Sequence, residues 1–150
     1  MAVKFGANNV PVQRLQKLQE KAVCLINFET NTNVAGRLLK DSNILKLTDF
    51  MKYKDALFIR NSLRKENIPI FNKFYTLLNQ NHVYNTRGST SQMLIVPQIQ
   101  TTHYGEHPFK SRSINAWNLY QRNLKTDLIT CDFAKFKKLI FQYHLNQYQL

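Results

Sequence analysis

The sequence predicts a mainly α-helical single domain with a long central loop and a small β ribbon, and three observations carry that expectation. Apolar residues recur at intervals of three and four in most of the chain outside its middle, the spacing that gathers one face of an α-helix. Between residues 79 and 110 that periodicity stops and side chains that both stack and hydrogen-bond take over. Within this region MLIV at 93–96 and QIQT at 98–101 flank Pro97. They read as short strands meeting at an edge or bend, since proline gives a ladder no donor.

In order, Asn8, Asn9 and Pro11 form a helix entry, and the helix runs to about residue 28. Its apolar face is Val12, Leu15, Leu18, Ala22, Leu25 and Ile26; Gln13, Arg14, Gln16, Lys17, Gln19, Glu20 and Lys21 fill the other. TNTN at 30–33 breaks the pattern, a short helix follows over 34–40, and Asn43 suits its stop. ILKL at 44–47 leads to a helix over 48–66 with a wide apolar face of Phe50, Met51, Tyr53, Leu57 and Phe58. Its last turn carries Arg60, Arg64 and Lys65, cations that suit a helix C-terminus. A further helix is expected over 70–78, with Phe71, Phe74, Leu77 and Leu78 inward. Ile114, Trp117 and Tyr120 mark another over 113–123, packed around Trp117. Thr130 or Asp132 caps the last, whose stripe is Phe133, Phe136, Ile140 and Tyr143, with Lys135, Lys137 and Lys138 outside.

With 150 residues, 43% of them hydrophobic, the chain can bury a real core. Against 9 Asp and Glu stand 21 Lys and Arg, a formal charge of +12, so the expected partner is anionic, with nucleic acid ahead of a membrane surface. A lysine-rich face that merely solvates the protein is the alternative. No apolar run approaches the length needed to span a bilayer and the first ten residues lack a secretory apolar core, which places the chain in the cytoplasm or nucleus. Cys24 and Cys131, far apart in apolar helical settings, read as reduced, buried thiols, with a disulfide between them as the alternative.

Catalysis has little to stand on. The nine carboxylates are scattered, with no short pairing for magnesium or acid/base work, and no nucleophile motif or phosphate loop is present. His103 and His107 are split by Gly105 and followed by Pro108, and no CxxC completes a zinc set. Hence no enzyme, metal, cofactor or small-molecule substrate is expected. What remains is recognition. From Asn67 to Gly105 there is no Asp or Glu. Within and just beyond that stretch, His82, Tyr84, Arg87 and Tyr104, then Lys110 and Arg112, are of the types that stack on bases and clamp phosphate. Arg14, Lys17 and Lys21 run along one side of the first helix and suit a phosphate backbone. In the alternative reading HVYNTR at 82–87 is internal scaffolding, in which Asn85 and Thr86 satisfy backbone groups and Tyr84 packs.

With these residues in view, the chain resembles the carboxyl-terminal end of reverse transcriptases from jockey-like, LINE-type (non-LTR) retrotransposons, over nearly its whole length. RLQKLQEKAVCLINF at 14–28 resembles the family's thumb helix, with Cys24 or Leu25 where an arginine is usual. LLKDSNILKLTDFMKYK at 38–54, HVYNTRG at 82–88, TTHYGEHPFKSRSINAWNLY at 101–120 and FAKFKKLIFQYHLNQY at 133–148 are similar to its later blocks, in order. Thr101 stands where a basic residue is usual and Tyr120 where a proline follows the WN pair. The resemblance implies a thumb-like helix over 1–29 and a helical C-terminal domain over 30–150. It also implies a piece without the metal-binding palm, unable to polymerise. Such a piece is expected to hold template RNA or an RNA/DNA duplex. Alternatively it is a structural or protein-interaction module that docks on a polymerase core through the helix at 12–28, leaving the apolar strip of Leu15, Leu18, Ala22 and Leu25 exposed when that core is absent.

Overall fold

The structure, a computed structural model, describes residues 10–80, 92–97, 109–124 and 126–148. They are mainly helical: α1 Val10–Ile26, α2 Ala35–Asp41, α3 Leu47–Leu63, α4 Pro69–Asn72, α5 Phe109–Leu124 and α6 Phe133–Leu145, with 3-10 turns at Thr32–Val34 and Leu78–Gln80. Two compact units divide the chain, one within Lys54–Phe136 and the other from Ala7–Tyr53 with Lys137–Leu150. The divisions fall inside α3 and α6.

In the unit built on α1, the core is Val23, Cys24, Ala35, Leu39, Leu45, Leu145 and Tyr148, and packed against it are Tyr53 and Phe141, whose rings meet each other edge to face. The apolar strip of α1 stays outside this core, the exposure expected of it where no polymerase core covers it. Val23 and Cys24 go in, while Leu15, Leu18, Leu25 and Ile26 stay 55–75% exposed. Gln19, expected on the outer polar side, is the reason. Its amide donates to the Leu45 carbonyl at 2.8 Å and accepts from the Leu47 N–H at 3.0 Å, so one side chain satisfies the turn into α3 on both sides. Tyr148 acts similarly from the other end of the chain. Its hydroxyl accepts from the Lys46 N–H at 2.6 Å and donates to Asp49 at 3.1 Å.

The exit from α1 stores strain. The Glu29 N–H reaches the Cys24 carbonyl and the Phe28 N–H that of Leu25, a Schellman closure with Phe28 in the left-handed region at φ 57°. Asn43, as expected, ends α2 in the same way, and its short polar side chain tolerates that conformation. A phenylalanine does not, and at 97% exposure it recovers nothing from packing. Phe28→Gly is therefore expected to raise stability by about 1 kcal/mol, seen as a shift of the urea midpoint at constant slope; a lower midpoint would contradict it.

The other unit centres on Trp117, Tyr120, Ile59, Leu128 and Phe136, all fully buried, with Tyr75, Leu94 and Ile114 beside them. Here α3 buries a mixed face in place of the expected aromatic one: Ala56 and Ile59 go in together with Asp55, Arg60 and Ser62, while Leu57 and Phe58 are half-buried. α5 starts at Phe109, a turn earlier than expected, and continues through Tyr120 without a break. The helix expected over 70–78 is cut to the single turn of α4. Beyond it the Leu78 N–H bonds Met93 and the Ile95 N–H bonds Thr76, an antiparallel bridge between Leu77 and Leu94. Tertiary hydrogen bonds there override local helix preference. That bridge is all the β pairing among the described residues, in place of the ribbon expected over 93–100, whose last three positions lie outside them. α6 begins as expected: Asp132 accepts from the Ala134 and Lys135 N–H groups at 2.9 and 3.2 Å, bonds that also hold its carboxyl below the usual range.

Candidate nucleic-acid interface

Of the nine side chains expected to meet nucleic acid, five lie among the described residues. Arg14, Lys17 and Lys21 are exposed on α1 and make no ion pair among the described residues. At 3.6 residues per turn they form one flank, directly beside the exposed strip of Leu15, Leu18, Ala22, Leu25 and Ile26. Gln19, on the opposite side of α1, ties the helix to the backbone of Leu45 and Leu47 and leaves this flank outward.

Lys110 and Arg112 belong to the other unit and are committed inside it. The Lys110 ammonium sits 4.8 Å over the Phe74 ring. Arg112 makes a two-pronged contact with Asp55, Nε to Oδ2 at 2.9 Å and Nη2 to Oδ1 at 3.2 Å, with only 17% and 6% of the two side chains exposed. Burial pushes the Asp55 carboxyl above its ordinary value, and the Arg112 hydrogen bond and charge pull it partway back. Tyr75, hydrogen-bonded to Ser113 at 3.0 Å, has its phenol pushed up to about 12, first by burial. Lys110 and Arg112 are thus fixed by internal partners before any ligand is considered. His82, Tyr84, Arg87 and Tyr104 lie outside the described residues.

Arg60 is a further cation that its position in the last turn of a helix did not reveal. It is 1% exposed, donates to the Cys131 carbonyl at 2.6 Å, and lies 5.1 and 5.2 Å from the Phe133 and Phe136 ring centres. It lines a cleft of about 590 Å³ whose rim mixes Arg64 with Glu66 and Asp132, a balance of charge that does not select phosphate. Asn118 is equally hidden from a reading by periodicity: its amide donates to the Leu94 carbonyl at 3.0 Å and accepts from the Leu94 N–H at 2.8 Å, standing in for a neighbouring strand. Near α3's first turn, His144 is 2% exposed with Nδ1 3.5 Å from Asp49. Burial holds its pKa below the usual value, although Asp49 opposes this.

Both cysteines are free thiols. Among the described residues no group of three or more His, Cys, Asp or Glu is placed to hold a metal ion, and no helix is long and apolar enough to cross a membrane. In comparisons with known proteins, the chain matches no family model, no curated protein and no solved structure.

Proposed function

We propose that this chain is a non-catalytic, nucleic-acid-binding part of a LINE-type RNA-directed DNA polymerase, acting inside the cell by holding template RNA or an RNA/DNA duplex. The observation that carries the reading is the flank of Arg14, Lys17 and Lys21, three exposed cations at helical spacing in a chain of formal charge +12. Such a flank follows phosphates without reading bases, so affinity should be sequence-tolerant and steeply salt-dependent. The order of family-like blocks along the chain is what favours RNA or an RNA/DNA duplex in this reading. His82, Tyr84, Arg87 and Tyr104 join the contact in this reading by stacking on unpaired bases.

The test is a salt titration of the full chain on single-stranded RNA, duplex DNA and an RNA/DNA hybrid, repeated with Lys17→Glu/Lys21→Glu. We expect a preference for RNA or hybrid, and in the double variant a loss of about one unit of log–log slope per lysine. Equal, shallow binding of every polyanion that the double variant leaves unchanged would overturn the proposal.

A second reading, a structural or protein-interaction module that docks on a polymerase core through α1, is favoured by the exposure of Leu15, Leu18, Leu25 and Ile26 and by the internal commitment of Lys110 and Arg112.

A further inference from the structure

The apolar strip of α1 does nothing for a phosphate. Leu15, Leu18, Leu25 and Ile26 are 55%, 60%, 74% and 75% exposed, and with exposed Ala22 they span an arc of about 100° on one face of the helix. Isolated exposed leucines are ordinary; a row at three- and four-residue spacing is not. The row also continues sideways. Leu15 and Ala22 stand one turn before and after Gln19, whose side chain is bonded to the backbone of Leu45 and Leu47. Gln19, Ile44, Leu45, Leu47, Phe50 and Phe141 line an apolar cleft of about 360 Å³, at which Ile44 and Phe50 are 45% and 43% exposed.

We infer that α1 and this cleft form a docking face for an amphipathic helix of another protein segment, one that sets an apolar row into the cleft and carries Asp or Glu along the edge meeting Arg14, Lys17 and Lys21. Shape points to a helix. From Leu15 to Ile26 the row is straight and about 16 Å long, and residues three and four apart form ridges that interlock with the same rows of a second helix. Charge selects the edge. Arg14, Lys17 and Lys21 follow one flank at the same spacing, so acidic side chains repeated every three or four residues on the occupant meet them in register. A second copy of the chain is the poorer occupant, because each carries a formal +12. The inference rests on the docking reading of α1 and goes beyond it by naming the occupant's chemistry.

The experiment uses the full chain and a fluorescent synthetic helix of about 18 residues with leucine at helical spacing and glutamate on its flank, beside a version with lysine in place of glutamate. We expect the glutamate helix to bind about tenfold or more tighter than the lysine helix. Leu18→Asp, at an exposed position, should abolish binding while leaving the circular dichroism melt unchanged. Lys17→Glu/Lys21→Glu should reverse the preference between the two helices. Equal binding of both helices, or binding that survives Leu18→Asp, overturns the inference. If Leu18→Asp instead removes self-association in sedimentation while the glutamate helix does not bind, the docking reading stands and the acidic helix is rejected; if what it removes is binding to phosphatidylserine vesicles, both are rejected. If Leu18→Asp changes nothing and neither helix binds, both fail. RNA binding retained by Leu18→Ser, which removes the apolar contact without setting a carboxylate beside Arg14 and Lys21, separates all of these outcomes from the phosphate-contacting role of Arg14, Lys17 and Lys21.

Discussion

Arg112→Ala is expected to destabilise the protein by about 3–5 kcal/mol, because it leaves a buried carboxylate without its partner. Asp55 is 5% exposed and Arg112 reaches it with two nitrogens, so truncation removes both the charge and the hydrogen bonds that oppose the burial of Asp55. The sign of the pH dependence follows. Without Arg112 the Asp55 carboxyl rises further above its unfolded value, and an acid whose folded pKa is raised binds more protons folded than unfolded. Stability of the variant therefore falls as pH rises through that window. The deficit relative to wild type should shrink on acidification, when Asp55 protonates. Urea unfolding at pH 7 and near pH 4.5 checks this. A loss below about 1 kcal/mol, the range of an exposed pair, would show that the contact is not made in solution. Weak RNA binding by Arg112→Ala accordingly reports folding before it reports a phosphate contact.

The second large effect is expected at Trp117 and its neighbour. Trp117 is 0% exposed, packs against Phe136 with ring centres 6.3 Å apart, and donates its indole N–H to the Gln92 carbonyl at 3.1 Å. Trp117→Ala should cost about 3–5 kcal/mol through lost burial and the cavity left behind. Asn118→Leu tests the amide separately: it keeps the volume but strips both bonds from the Leu94 backbone, with a cost of about 1–3 kcal/mol for each buried group left unpaired. If Asn118→Leu proved neutral while Trp117→Ala unfolded the unit, α5 would be held by apolar packing alone, and the amide would merely fill space.

These two sites show which parts of the protein could be read from its residues. The helices of α1, α3, α5 and α6 follow from apolar spacing and caps, because a 3.6-residue repeat and an aspartate bonded to two free N–H groups act within a few residues of themselves. α4 is shorter than local spacing predicts for the complementary reason: a few residues beyond it the chain bridges Leu77 to Leu94, a partner local spacing does not reveal. The cations divide in the same way. Arg14, Lys17 and Lys21 were legible as an outer flank because helical geometry alone gathers them. Lys110 and Arg112 looked equivalent in composition, yet Phe74 and Asp55 hold them.

By itself, then, the sequence determined that this protein is mainly helical and strongly basic and where its longer helices lie, since those properties depend on composition and on neighbours within a turn or two. Only the tertiary structure decided which face of each helix is buried. Burial is settled by hydrogen bonds between distant residues: Gln19 to the Leu45 and Leu47 backbone turns the leucine strip of α1 outward, and Arg112 lets α3 bury a carboxylate where its aromatic face was expected. A buried polar group without a partner costs about as much as an exposed leucine, so satisfying such groups competes with hiding apolar side chains.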